Sequence, residues 1–87
     1  MPETQRLVNL AQQRLREGTL PQQTETTALG GRSNGSACEL CGEPVAEGAA
    51  EIELVWSADD GRRTAALHPA CHAAWLVVSR TPGPRSN

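Results

Sequence analysis

Cys38 and Cys41 stand in Cys-Glu-Leu-Cys-Gly, His68 and Cys71 stand in His-Pro-Ala-Cys, and 26 residues separate Cys41 from His68. This C-x2-C…H-x2-C pattern offers three thiolates and an imidazole, a ligand set that suits one tetrahedral Zn2+ ion. With three cysteines in the chain, a closed disulfide framework is not available. A metal is the cross-link that the spacing predicts, with Cys38, Cys41, His68 and Cys71 as its ligands.

Size makes such a cross-link necessary. The chain has 87 residues, and its core-forming residues concentrate between Ala37 and Arg80. That segment is close to the ~40-residue length below which domains need a metal, disulfides or a partner. Phe and Tyr are absent, and Trp56 and Trp75 are the aromatics available to a core that otherwise holds a handful of Leu, Val and Ile. A zinc site contributing on the order of 10 kcal/mol of apparent folding free energy offsets that deficit.

Met1-Pro2-Glu3 opens without a basic stretch or a following apolar run, so no signal peptide is expected. Nothing approaches the ~20 apolar residues of a membrane span. Thiolates held on a metal suit a reducing compartment, which makes a cytoplasmic location the expectation.

Charge separates the function classes further. Every basic residue is Arg, and from position 37 onward four Arg face seven acidic residues, a net charge of −3. Nucleic-acid binding draws most of its affinity from phosphate neutralisation by a basic patch, and this balance has the wrong sign for it. Arg62 and Arg63 are expected in a solvated hairpin turn.

The chain divides into four stretches. Residues 1–18 form an amphipathic helix, with Leu7, Leu10, Ala11 and Leu15 at three- and four-residue spacing and Gln12, Gln13, Arg14 and Arg16 on the other side. Thr4 is placed to cap its start, and Gly18 stops it before Pro21. A helix of about four turns is marginal alone. It packs on the rest of the protein or frays; docking of an unidentified protein partner is the alternative. Residues 19–36 read as a flexible linker rich in Gln, Thr, Gly, Ser and Asn, with Leu20, Ala28 and Leu29 as its apolar residues. Residues 37–80 form the zinc-binding module. Residues 81–87 follow Thr81-Pro82-Gly83-Pro84 as a disordered tail.

Within the module, Gly42 permits the tight turn that points backbone N–H groups at the cysteine sulfurs. Ile52, Leu54 and Trp56 alternate with Glu51, Glu53 and Val55, which predicts a strand with one buried face. Asp59-Asp60-Gly61 is a turn signal, and Arg62 to Leu67 return as the partner strand. Pro69 suits the first position of a helix running to about Ser79. Cys71, Trp75 and Val78 share one face of it, widened by Ala70, Ala74 and Val77.

A knuckle, a hairpin and a helix whose first turn carries the second ligand pair make an element order that resembles treble-clef zinc fingers, from Cys38 to about Val78. The resemblance implies that Cys38 and Cys41 are the knuckle ligands and that His68 and Cys71 are the helix-start ligands. The chain also resembles small uncharacterised bacterial proteins through Gly18-Thr19-Leu20-Pro21, Gly30-Gly31, Cys38-Glu39-Leu40-Cys41-Gly42 and the His68-to-Trp75 helix start. Those proteins carry an aromatic before the two glycines where this chain has Leu29, a departure that argues against docking of the linker. That likeness implies a fold and no activity.

Competing readings of the site are weaker. His72 beside Cys71 is turned about 100° away on a helix, so His68 at i, i+3 is the better ligand. As a catalytic base His72 lacks a positioned nucleophile or carboxylate. Four ligands close the site, whereas catalytic zinc keeps an open position. A ββα-metal nuclease would need a histidine on the hairpin, and residues 51–67 contain none. Glu39, Glu43, Glu47, Glu51 and Glu53 are expected on a solvated face. Oxidation of the thiols with release of zinc is open to any such site. The expectation is therefore a small α+β zinc-stabilised domain, treble-clef-like, preceded by an N-terminal helix and a linker. It is expected to be monomeric and non-enzymatic, an interaction or accessory protein. A nucleic-acid-binding finger in transcription regulation is the alternative, suggested by analogy of fold.

Overall fold

A computed structural model describes residues 3–23 and 26–79. In chain order the elements are α1 (Glu3–Glu17), β1 (Thr26–Arg32), β2 (Ala50–Ala58), β3 (Gly61–Leu67) and α2 (Pro69–Val78). The result is two helices and one three-stranded antiparallel sheet in the order β1-β2-β3.

The periodicity of α1 is realised as expected: Leu7 and Ala11 are buried, and Val8, Leu10 and Leu15 pack partly against the same core. Thr4, expected at the cap, lies inside the helix instead. Gly18 adopts φ +81°, a conformation that glycine takes without a Cβ clash. Thr19 N–H donates to Arg14 O at 3.0 Å and Gly18 N–H to Leu15 O at 3.2 Å, so two carbonyls of the last turn are satisfied.

The helix does not fray from the rest of the protein. Arg14 Nε donates to the carbonyl of Leu40 at 3.0 Å, and Trp75 Nε1 donates to Pro21 O at 2.9 Å. Leu7, Ala11 and Leu20 share a single buried cluster with Leu40, Leu54, Leu67 and Trp75. The helix and the segment from Cys38 to Trp75 thus form one core.

The hairpin follows the alternation in the sequence. Ile52 pairs with Leu67, Leu54 with Ala65 and Trp56 with Arg63. Leu54 is fully buried between the half-buried Ile52 and Trp56. Arg63 sits beside the turn and pairs with Asp60 at 3.1 Å.

The stretch expected to be a linker departs from expectation. Thr26–Arg32 forms a strand along β2, from Thr26 opposite Trp56 to Arg32 opposite Ala50. Composition concealed it because its stabilisation is a backbone ladder rather than side-chain burial: six of its seven residues are exposed. Leu29, whose presence argued against docking, is paired with Glu53. Buried Ser33 anchors the strand's end, donating from Oγ to Val45 O and from N–H to Ala49 O, each at 2.8 Å.

In α2, Cys71, Ala74 and Trp75 are buried, whereas Ala70 and Val77, expected in that stripe, are exposed. A stripe at i, i+4 fits beneath the helix, and Val77 falls one position off it. The expected tail at residues 81–87 lies outside the described residues.

Candidate metal centre

The first pair of ligands is shaped by a short turn. Ala37 and Pro44 bridge antiparallel, Cys38 N–H donates to Glu43 O at 2.9 Å, and Gly42 N–H donates to Cys38 O at 2.9 Å. Gly42 closes the turn at φ +84°. Between the cysteines, Leu40 is driven fully into the core, and Glu39 N–H donates to Ala66 O at 2.9 Å, fastening the turn to β3.

The second pair is delivered by the end of β3. His68 is the N-cap of α2 with extended backbone (φ −64°, ψ 151°), and Pro69 occupies the position where a missing N–H costs nothing. Cys71 then falls one turn later, buried against the turn of Cys38 and Cys41.

The three Sγ atoms and one His68 ring nitrogen lie within 4.8 Å of one another. Cys41 Sγ is 3.5 Å from His68 Nδ1, and Cys71 Sγ is 3.9 Å from it. A tetrahedral metal with Zn–S near 2.3 Å and Zn–N near 2.0–2.1 Å sets S···N edges of about 3.6 Å and S···S edges of about 3.8 Å. The two S···N separations of 3.5 and 3.9 Å match that S···N edge. Among the described residues it is the group of His, Cys, Asp and Glu side chains that could hold a metal ion.

A backbone carbonyl settles which imidazole nitrogen faces the sulfurs. His68 Nε2 lies 3.2 Å from Pro44 O, which can only accept, so Nε2 carries the proton and donates. Nδ1 is left with its lone pair toward the cysteines, the state a metal ligand requires.

Electrostatics within the cluster are divided. Burial raises the Cys38 thiol, but the N–H groups of Cys41, His68 and Leu40 directed at its sulfur outweigh burial and bring it down to about 7. Burial raises Cys71, and the neighbouring sulfurs of Cys38 and Cys41 push it further in the same direction. Three thiolates this close repel, and a cation between them removes the conflict.

His72 stands apart from the cluster. It is half-buried, stacks on Trp75 with ring centroids 5.7 Å apart, and burial holds its pKa below the ordinary histidine value. Of the two candidate histidines, the structure brings His68 to the cysteines. The contributions of the Pro44 carbonyl and of Arg14 had no signature in the sequence, since each acts through backbone oxygen that any residue carries.

No family model, curated protein or solved structure matches this chain.

Proposed function

We propose that Cys38, Cys41, His68 and Cys71 bind one Zn2+ in a closed, structural site, and that the chain is a non-enzymatic, zinc-stabilised interaction or accessory protein of treble-clef-like architecture. The observation that carries the metal assignment is the gathering of all four ligand atoms within 4.8 Å, with the Nδ1 lone pair of His68 freed by its Nε2–H bond to Pro44. Three sulfurs and one nitrogen are a donor set that suits zinc.

A structural role follows from the number of ligands and from what surrounds them. With four protein ligands no position remains for a water or substrate. Thiolate donation also weakens the ion as a Lewis acid. Leu40 between the first pair and Trp75 one turn beyond Cys71 are both fully buried, so the ligands and the core share the same backbone. The net charge of −3 from position 37 onward supports a protein partner over nucleic acid.

Native mass spectrometry of the purified chain, with and without chelator, tests the proposal. One zinc per chain, lost together with the folded charge-state distribution, is the expected result. A chain that stays folded without metal would refute the structural role.

A further inference from the structure

The two edges of the sheet are treated differently. On β3, Ala66 O accepts from Glu39 N–H, so the turn of metal ligands covers part of that edge. On β1, no backbone hydrogen bond to the outer edge is present among the described residues.

The direction of each β1 backbone group follows from the ladder. A residue's N–H and C=O point to the same side of an antiparallel strand, and the side alternates along the chain. Just beyond the pair of Arg32 with Ala50, Ser33 N–H bonds to Ala49 O, the residue before β2. Gly31, Leu29 and Thr27 therefore face β2, and Arg32, Gly30, Ala28 and Thr26 present their N–H and C=O to the open edge. The far side of the sheet agrees. Ala66 turned outward assigns Ile52, Leu54 and Trp56 to β3 and leaves Glu51, Glu53 and Val55 to bond with β1.

We propose that β1 pairs antiparallel with β1 of a second copy of this chain, joining two three-stranded sheets into one of six strands. The register that pairs all seven residues sets Thr26 opposite Arg32 of the second copy, Ala28 opposite its Gly30, and Leu29 on the two-fold axis against itself. In that register every outward N–H and C=O of Thr26, Ala28, Gly30 and Arg32 finds a partner.

Four features make this edge fit its own copy. Leu29, 50 % exposed, occupies the non-hydrogen-bonded position, where facing side chains come closest, and covers its counterpart. Arg32 is the one charged residue of Thr26–Arg32 and meets Thr26, so like charges never face each other. Gly30 and Gly31 stand opposite Ala28 and Thr27 and offer no bulk to obstruct a neighbouring strand; a Cβ built on either meets nothing within 4 Å. Finally, the strand has no Pro, no Lys and no interruption of its register, the devices that guard an open edge. A seven-residue strand spans about 24 Å, so this is an interface at the small end of the range and the dimer is a reversible, concentration-dependent one.

The test is sedimentation equilibrium of the full chain as purified, from about 10 µM to about 1 mM, the range suited to a small interface. The wild-type mass is expected to move from monomer toward dimer. Gly30→Pro removes an outward N–H without touching the ladder to β2, and Leu29→Lys sets two like charges on the axis; both are expected to stay monomeric. Far-ultraviolet circular dichroism confirms that each variant is folded, and Leu29→Lys carries the test if Gly30→Pro does not fold. Register is read separately: Leu29→Cys is expected to form an intermolecular disulfide in a glutathione buffer, and Thr27→Cys, opposite Gly31, is not. A wild-type chain that remains monomeric to about 1 mM overturns the proposal. So does a dimer that persists in Leu29→Lys, or one that crosslinks at Thr27→Cys and not at Leu29→Cys.

Discussion

Trp75 donates its indole N–H to the carbonyl of Pro21 at 2.9 Å, tying the helix that carries Cys71 to the chain that leaves α1. Trp75 is 1 % exposed and is the largest fully buried side chain, so this one residue supplies both volume and a directional bond.

Trp75→Phe should cost about 2–4 kcal/mol, combining the lost bond at a shielded carbonyl with a partial cavity. Urea unfolding of the two proteins measures it. An unchanged midpoint would mean that the bond to Pro21 and the indole volume contribute nothing to stability.

The ligands and the spectator histidine are expected to separate cleanly. Cys38→Ser and Cys71→Ser should lose zinc and fold together, because each removes a ligand whose backbone lies in the core. His72→Ala removes a half-buried ring stacked on Trp75 and should cost no more than about 1 kcal/mol with zinc retained. Metal content and circular dichroism of the three variants decide the matter.

Zinc affinity should rise with pH. The metal-free site binds more protons than the metal-bound site, so raising the pH favours the metal. Cys38, brought down to about 7 by the N–H groups around it, gives up its proton near neutrality. Cys71, raised by burial and by its neighbouring sulfurs, holds its proton until zinc displaces it. Calorimetric titrations of zinc in buffers of different ionisation enthalpy near pH 7.5 should show proton release on the order of two per ion. Binding without proton release would mean that the sulfurs are not the ligands.

Arg14→Ala should destabilise the protein by about 1–2 kcal/mol through the Leu40 carbonyl it leaves unpaired. Arg14 also pairs with Glu17 at 3.3 Å, but Glu17 is 44 % exposed and that pair adds little. Glu17→Gln should accordingly be near neutral, and the two urea midpoints compared side by side distinguish a helix anchor from a surface ion pair.

What the sequence showed of this molecule follows from which forces leave a residue signature. Ligand chemistry does: the clustering of Cys38, Cys41, His68 and Cys71 is legible because few residue types bind metal and their spacing is fixed by a turn and a helix. Side-chain burial does too, and the alternation from Ile52 to Trp56 and the spacing of Leu7 and Ala11 led directly to β2 and α1. Backbone pairing leaves almost none. Thr26–Arg32 reads as part of a linker because Gly30 and Gly31 have no side chain to reveal a face, yet β1 forms by hydrogen bonds that any sequence can make. The apolar stripe of α1 left packing on the rest of the protein as one open outcome, and Leu7 and Ala11 realise it; the bonds of Arg14 to the Leu40 carbonyl and of Trp75 to the Pro21 carbonyl left no such mark. His68 was favoured over His72 by helix geometry alone, and the Pro44 carbonyl supplies the reason its Nδ1 is the atom presented.

The shared core has a consequence for the order in which the molecule is made. Leu7 and Ala11 are buried against residues beyond position 70, and α2 is the last of the described elements in chain order. At a synthesis rate of about 5–20 residues per second, α1 leaves the ribosome seconds before His68, Cys71 and Trp75 exist to receive it. During that interval its apolar stripe lacks the face of α2 that packs on it, and only two of the four candidate ligands are present. Docking of α1 thus waits for α2, the ten-residue helix whose cap and first turn also bring the second pair of candidate ligands.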